Sequence, residues 1–197
     1  MSSAPSRSST DVVGRALTAA TSRILQAVEA IEAPNPVILI DGRSGAGKSS
    51  LALRTAAEWP GAGRVQLVAL DSLYPGWDGL ELGVERARVD ILRPHARGTI
   101  GTWNRWDWHE EREAEAHAVD PALPLIIEGA GILTPGTALL ADVRVWCESP
   151  SVSRRRRALE RDGDSYRPHW ERWAEQEQAH IERNDPAALA TVRVEIP

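Results

Sequence analysis

The eight residues Gly42-Arg43-Ser44-Gly45-Ala46-Gly47-Lys48-Ser49, set just after the apolar run Val37-Ile38-Leu39-Ile40, constrain this chain more than anything else in it. They fit the pattern G-x-x-x-x-G-K-[ST] without a mismatch. The apolar run, the glycine-rich stretch and the helical Leu51-Ala52-Leu53-Arg54 that follows read as strand, loop, helix. In that arrangement glycines let backbone N–H groups turn inward around phosphate oxygens, and the helix offers its N-terminus to the anion. The lysine reaches the β and γ phosphates and the Ser49 hydroxyl holds Mg²⁺. Gly42, Ser44, Gly45, Ala46, Gly47, Lys48, Ser49 and Ser50 are thus the expected contacts of a nucleoside triphosphate. Lys48 is the one lysine among 23 basic residues, in a chain with no Phe and Met only at position 1. That bias reads as a GC-rich bacterial genome, in which a retained lysine marks a place where a planar guanidinium cannot serve.

The chain has 197 residues, enough for one domain, and 42% apolar against 26% charged residues is ordinary for a globular fold. A formal charge of −5 disfavours general nucleic-acid binding. No apolar run approaches the ~18 residues of a membrane span, and Met1 to Thr10 lacks a signal-peptide core, so the cytoplasm is expected and a membrane partner is not. The single cysteine, Cys147, excludes an internal disulfide and reads as a small buried apolar residue; the five histidines have no metal-like spacing. Residues 1–9 read as a flexible tail and 10–197 as a single domain.

Val13, Leu17, Ala20, Ile24, Val28 and Ile31 predict an amphipathic helix capped by Thr10 or Asp11 and ended by Pro34 and Pro36. Further strands are expected over 65–70, ending at Asp71, over 125–127, ending at Glu128, over 143–146, ending near Glu148, and over 191–196. Helices are expected over 84–92, 154–161 and 170–182, and a hairpin over 99–119 turning near His109. Strands separated by helices predict an open parallel sheet whose ligands bind at the strands' carboxyl ends, where Asp71, Glu128 and the glycine loop all fall. Trp170, Trp173, Ala174 and Ile181 share one face of the last helix, interrupted by Glu177, and read as a packing stripe.

Neither the Asn-Lys-x-Asp signature of regulatory GTPases nor a Leu-Ser-Gly-Gly-Gln stretch is present, which favours a small-molecule kinase. From the glycine loop to about Asp162 the sequence resembles the uridine kinase and phosphoribulokinase branch of P-loop kinases. Leu70-Asp71-Ser72-Leu73-Tyr74 is similar to that family's Asp-Ser-Phe-Tyr. The resemblance implies that Asp71 takes the proton of the acceptor hydroxyl and that Tyr74 lines the substrate pocket, with packing as the alternative for Tyr74. Leu125-Ile126-Ile127-Glu128-Gly129 looks like the apolar strand ending in Glu-Gly, which makes Glu128 a metal-side carboxylate. Trp106-Asp107-Trp108 stands where the family carries a base-holding Tyr-Asp-Phe, although tryptophans on a hairpin also form its own small core. The family's sugar-holding acidic stretch is replaced by Pro75-Gly76-Trp77-Asp78-Gly79. Arg154, Arg157, Arg161 and Asp162 fall on the lid pattern, with Arg157 and Arg161 expected to be catalytic and Arg154 to meet substrate; a solvated helix face is the alternative, and a nucleic-acid patch a second one that Asp162, Asp164 and the overall acidity weaken.

These readings predict an α/β, three-layer P-loop NTPase fold with a parallel five-stranded sheet, helices on both faces, a small lid and a substrate hairpin. The expected activity is an ATP- and Mg²⁺-dependent phosphotransferase acting on a hydroxyl of a small molecule, nucleosides first. Nucleoside monophosphates or other metabolites are the alternative acceptors, and a non-catalytic nucleotide-gated binding module is the alternative of another class. The sequence leaves the oligomeric state open.

Overall fold

The computed structural model describes residues 7–61 and 63–197. Helix α1 (Arg7–Glu29) buries Leu17, Ala20, Ile24 and Val28, the positions that recur at three and four. It begins ahead of Thr10 and Asp11; of the tail expected over 1–9, residues 1–6 lie outside the described residues. Strand β1 (Val37–Asp41) leads through the glycine loop into α2 (Lys48–Ala57). Strand β2 (Gln66–Ala69) runs into a 3₁₀ turn at Leu70–Ser72. Helix α3 (Leu80–Arg86) passes through a π-helical stretch, Ala87–Leu92, into α4 (Arg93–Ala96). The hairpin follows as β3 (Gly101–Asp107) and β4 (Arg112–Val119), with a register shift between Asn104 and Trp106.

Then come β5 (Leu125–Glu128), α5 (Pro135–Ala138) and β6 (Val143–Glu148). Helix α6 (Ser151–Tyr166) is kinked at Gly163, and a 3₁₀ turn, Arg167–His169, links it to α7 (Trp170–Asn184). Helix α8 (Pro186–Leu189) and strand β7 (Val192–Glu195) end the chain. The one-turn helices α5 and α8 are too short to show a periodic face. Each is started by a capping side chain, Thr134 or Asp185, followed by proline at the first helical position.

Five strands pair in parallel in the order β2-β5-β1-β6-β7. Alternation along β1 sends Val37 and Leu39 into one core, with Leu125, Ile127, Val68 and Trp173, and Ile38 and Ile40 into the other, with Ile126, Val145, Leu17 and Leu51. Helices α3 and α7 therefore cover one face, α1 and α2 the other, and strands buried on both faces carry unbroken apolar runs. This is the expected three-layer fold, with the hairpin as a separate two-stranded sheet. Because all five strands are parallel, Asp41, Asp71, Glu128 and Glu148 come to one rim. β1 lies between β5 and β6, where the strand order reverses and α/β sheets bind their ligands.

Candidate active site

The glycine loop supplies the backbone of the site. Gly45 and Gly47 have φ of 75° and 98°, and a Cβ on Gly45 would lie 2.1 Å from the Arg154 carbonyl oxygen, so the loop closes only with glycine there. Ala46 N–H bonds back to Arg43 O at 3.0 Å and Ser44 N–H donates to Glu177 Oε1 at 2.7 Å. The N–H groups of Gly45, Gly47, Lys48 and Ser49 have no partner among the described residues. Unpaired N–H groups around a helix start form an anion cradle. Lys48 is buried and its Nζ crosses the loop to donate to Arg43 O at 3.2 Å.

Beside the cradle Ser49 Oγ donates to Glu128 Oε1 at 2.9 Å. Burial pushes the Glu128 carboxyl above its ordinary range, against the pull of Lys48. A hydroxyl and a buried carboxylate side by side offer the oxygen ligands a hard divalent cation takes. No cluster of three metal-ligating side chains exists among the described residues. Mg²⁺ needs none, since one or two protein oxygens and the nucleotide's phosphates suffice. The residues fit both a nucleoside triphosphate and its Mg²⁺.

Asp71, in the 3₁₀ turn after β2, opens onto a cleft of about 680 Å³ walled by Tyr74, Trp77, Trp106, Trp108, Tyr166 and Trp173, with Ser44, Arg161 and Asp162 on its margin. The exposed Asp71 carboxylate makes no hydrogen bond or ion pair among the described residues, while its backbone carbonyl accepts Trp108 Nε1–H at 2.7 Å. The hairpin is thereby docked on the turn that carries Asp71. A larger cleft, about 870 Å³, lies between α3 and α7 and holds neither Asp71 nor any loop residue.

The other sequence-derived candidates divide. Tyr74 borders the cleft but belongs to the core, donating its hydroxyl to Ala130 O at 2.7 Å and meeting Trp173 edge-on at 4.9 Å. Trp106 lines the cleft, and its buried Nε1–H has no partner among the described residues. Asp107 faces its own turn, accepting the N–H groups of His109 and Glu110 at 3.0 Å each, and these bonds hold its carboxyl below the ordinary range. It braces the hairpin and does not line the cleft. Trp77, from the stretch that departs from the kinase pattern, stacks on His169 at 4.3 Å and packs against Trp108 at 4.8 Å, joining loop, hairpin and lid.

Among the lid arginines only Arg161 lines the cleft, held by Asp162 through bonds of 2.8 and 2.7 Å, with Asp71 and Glu128 adding to the field that stabilises its charge. Arg157 is directed elsewhere: its Nε donates to Gly45 O at 2.8 Å and its Nη1 to Pro197 O at 2.5 Å. Arg154, expected at the substrate, is buried and donates to Ser149 O at 3.2 Å and Ser44 O at 3.3 Å. The reason is geometric. The first turns of α6 pass beside the loop, so arginines there find carbonyl oxygens and only the last turns overhang the cleft.

Three residues escaped the sequence reading. Asp41, 1% exposed, accepts Gly42 N–H at 2.6 Å, Gly131 N–H and Leu133 N–H at 2.8 Å each, and meets His180 Nε2 at 3.1 Å. On its other side the ring places Nδ1 3.1 Å from Asn184 Nδ2, so the imidazole is fixed between the strand end and the last turn of α7. The third is Glu177, on Ser44. Its signal was present as the polar break in an apolar stripe: the buried face of α7 runs Trp170, Trp173, Glu177, His180.

No protein-family model matches the chain, and no curated protein does. Among solved structures, a possible uridine kinase from Bacillus stearothermophilus superposes with a TM-score of 0.67 at 18% identity, over 90% of this chain and 98% of that one. A protein assigned as a fructose transport system kinase from Silicibacter sp. TM1040 gives a TM-score of 0.56 at 21% identity, over 92% of this chain and 98% of that one. At these identities the likeness establishes the fold alone, over nearly the whole length of both chains.

Proposed function

We propose that this protein is a Mg²⁺-dependent kinase that transfers the γ-phosphoryl group of ATP to a hydroxyl of a small, uncharged acceptor, with nucleosides the first class to test. The observation that carries this reading is the convergence at one sheet rim of a phosphate cradle with Lys48, the Ser49–Glu128 pair, and an unpaired carboxylate, Asp71, opening onto an aromatic cleft. The loop N–H groups and Lys48 hold the triphosphate, and Ser49 and Glu128 hold Mg²⁺, which neutralises charge on the phosphate oxygens. Asp71 accepts the proton of the acceptor hydroxyl as its oxygen bonds to the γ phosphorus and the bond to the β-phosphate oxygen breaks, leaving ADP. Arg161, overhanging the cleft, stabilises the charge that spreads over the moving group.

Two observations favour this over the alternatives. A phosphorylated acceptor needs uncommitted arginines at the cleft, yet of Arg86, Arg88, Arg93, Arg97 and Arg105 only Arg105 lines it, and that one pairs with Glu115 and Asp107. A nucleotide-gated module presenting α7 to a partner needs an exposed apolar face, yet Trp170 and Trp173 are buried. The deciding experiment measures Mg²⁺-dependent ADP release from ATP across nucleosides, nucleoside monophosphates, sugars and vitamin precursors, beside Lys48→Ala. Release stimulated by one uncharged class and abolished in the variant is the expected result. Intact ATP binding with no stimulation by any acceptor would favour the binding module.

A further inference from the structure

Ser44 is held from outside the loop on both sides of its α carbon. Its N–H donates to Glu177 Oε1 at 2.7 Å and its carbonyl accepts Arg154 Nη1 at 3.3 Å. Glu177 lies on α7 and Arg154 on α6, more than a hundred residues along the chain, and both side chains are buried, with the carboxylate's field supporting the arginine's charge. The same helix reaches the loop a second time, through the bond between Gln178 and Arg43. In a trans peptide C=O and N–H point opposite ways. The Glu177 bond to Ser44 N–H therefore sends the Arg43 carbonyl the other way, into the loop where it accepts Ala46 N–H and Lys48 Nζ, and the Arg154 bond to the Ser44 carbonyl turns the Gly45 N–H away from α6. Gly45 N–H is one of the loop's unpaired donors. A carboxylate is an unexpected neighbour for a loop that binds an anion, since it repels a triphosphate. Its placement makes sense if its oxygen shapes the loop while Arg154 offsets its charge.

We infer that Glu177 is a positioning residue for nucleotide binding: by accepting the Ser44 N–H it decides which loop N–H groups face the phosphates. The inference rests on the phosphate-loop reading of the site, to which α7 otherwise contributes only Trp173 of the cleft wall. It separates the oxygen that accepts a bond, which an amide also supplies, from the negative charge, which an amide lacks. The test compares Glu177→Gln and Glu177→Ala with the unaltered protein in two measurements. One is hydrogen exchange of the Ser44 amide without nucleotide; the other is Mg²⁺·ADP affinity by calorimetry. Glu177→Gln should keep the Ser44 amide protected and ADP affinity within about threefold. Glu177→Ala should expose the amide and weaken ADP by roughly tenfold or more, the scale of one hydrogen bond to a charged group. Equal weakening in both variants would overturn the inference, because the charge would then be what matters, and so would an alanine variant with unchanged affinity. If the unaltered protein bound no ADP, the phosphate-loop reading would fail by itself, and unchanged Ser44 exchange in Glu177→Ala would still refute the positioning role.

Discussion

Two carboxylates at neighbouring strand ends are set to different tasks by their surroundings. Asp71 stands exposed and unpaired, ready to orient and deprotonate a hydroxyl; Glu128 is buried against Ser49. Asp71→Asn should bind ATP as the unaltered enzyme does and lose roughly 10²- to 10⁴-fold in turnover, the usual contribution of a positioned base. Unchanged turnover in steady-state assays would remove Asp71 from that role. Glu128 gives a second prediction, with a pH sign. Burial raises its folded pKa above the ordinary 4.5, so the folded chain holds the proton longer than the unfolded one. Stability therefore falls as pH rises from that value through the raised one. Glu128→Gln, which still accepts the Ser49 hydroxyl, should melt higher than the unaltered protein at pH 8, with the difference vanishing below about pH 4. The same variant should bind Mg²⁺·ATP more weakly, and equal melting temperatures at pH 8 would show that burial carries no such cost. Both carboxylates were legible because each ends a short apolar, strand-like run, and their roles came from the resemblance of Leu70-Asp71-Ser72-Leu73-Tyr74 and Leu125-Ile126-Ile127-Glu128-Gly129 to the kinase motifs. Asp41 was not: nothing local distinguishes a carboxylate that caps the distant N–H groups of Gly131 and Leu133 from one that binds a ligand.

At the scale of elements, periodicity in three and four gave α1 and α7, apolar runs gave the strands, and the hairpin was expected over 99–119 with Trp106-Asp107-Trp108 standing where the kinase family carries its hairpin motif. What periodicity cannot carry is where a side chain on a correctly located helix ends up. Arg154, Arg157 and Arg161 sit on one helix, yet two are bound to loop carbonyl oxygens and one overhangs the cleft, a division set by α6 passing beside the loop. The hairpin shows the same limit. Trp106 and Trp108 reach the cleft, while Asp107 between them folds back onto its own turn. Asp107→Ala should speed hydrogen exchange at the His109 and Glu110 amides and raise the KM for the acceptor, leaving that for ATP unchanged. A variant with unaltered exchange would mean that the turn holds without its brace. Acidification should loosen the same turn, because a carboxyl held below its ordinary 3.8 adds stability above that value and loses it as pH falls through the lowered one.

For the molecule as a whole, the order β2-β5-β1-β6-β7 was not legible, since alternating strands and helices fix a parallel sheet but not which strand lies beside which. That order is what lets one side chain join distant parts of the fold. Asp41, at the end of the central strand, holds the loop through Gly42, the segment after β5 through Gly131 and Leu133, and α7 through His180. Its Oδ1 takes Gly42 and Gly131, its Oδ2 Leu133 and His180. Asp41→Ala leaves the buried backbone N–H groups of Gly42, Gly131 and Leu133, and the His180 ring besides, without this partner, at about 1–3 kcal/mol for each backbone group before relaxation, so a loss of roughly 3–5 kcal/mol in urea unfolding is expected. Asp41→Asn should lie between: one oxygen survives, and its –NH₂ then meets either the Leu133 and His180 donors or the Gly42 and Gly131 donors. Because Gly42 begins the phosphate loop, both variants should weaken ADP in the same order as they lose stability. His180→Ala removes only one of the four partners and should cost less than Asp41→Ala in both measurements. If His180→Ala cost as much, α7, and not the strand-end carboxylate, would be what holds this rim together.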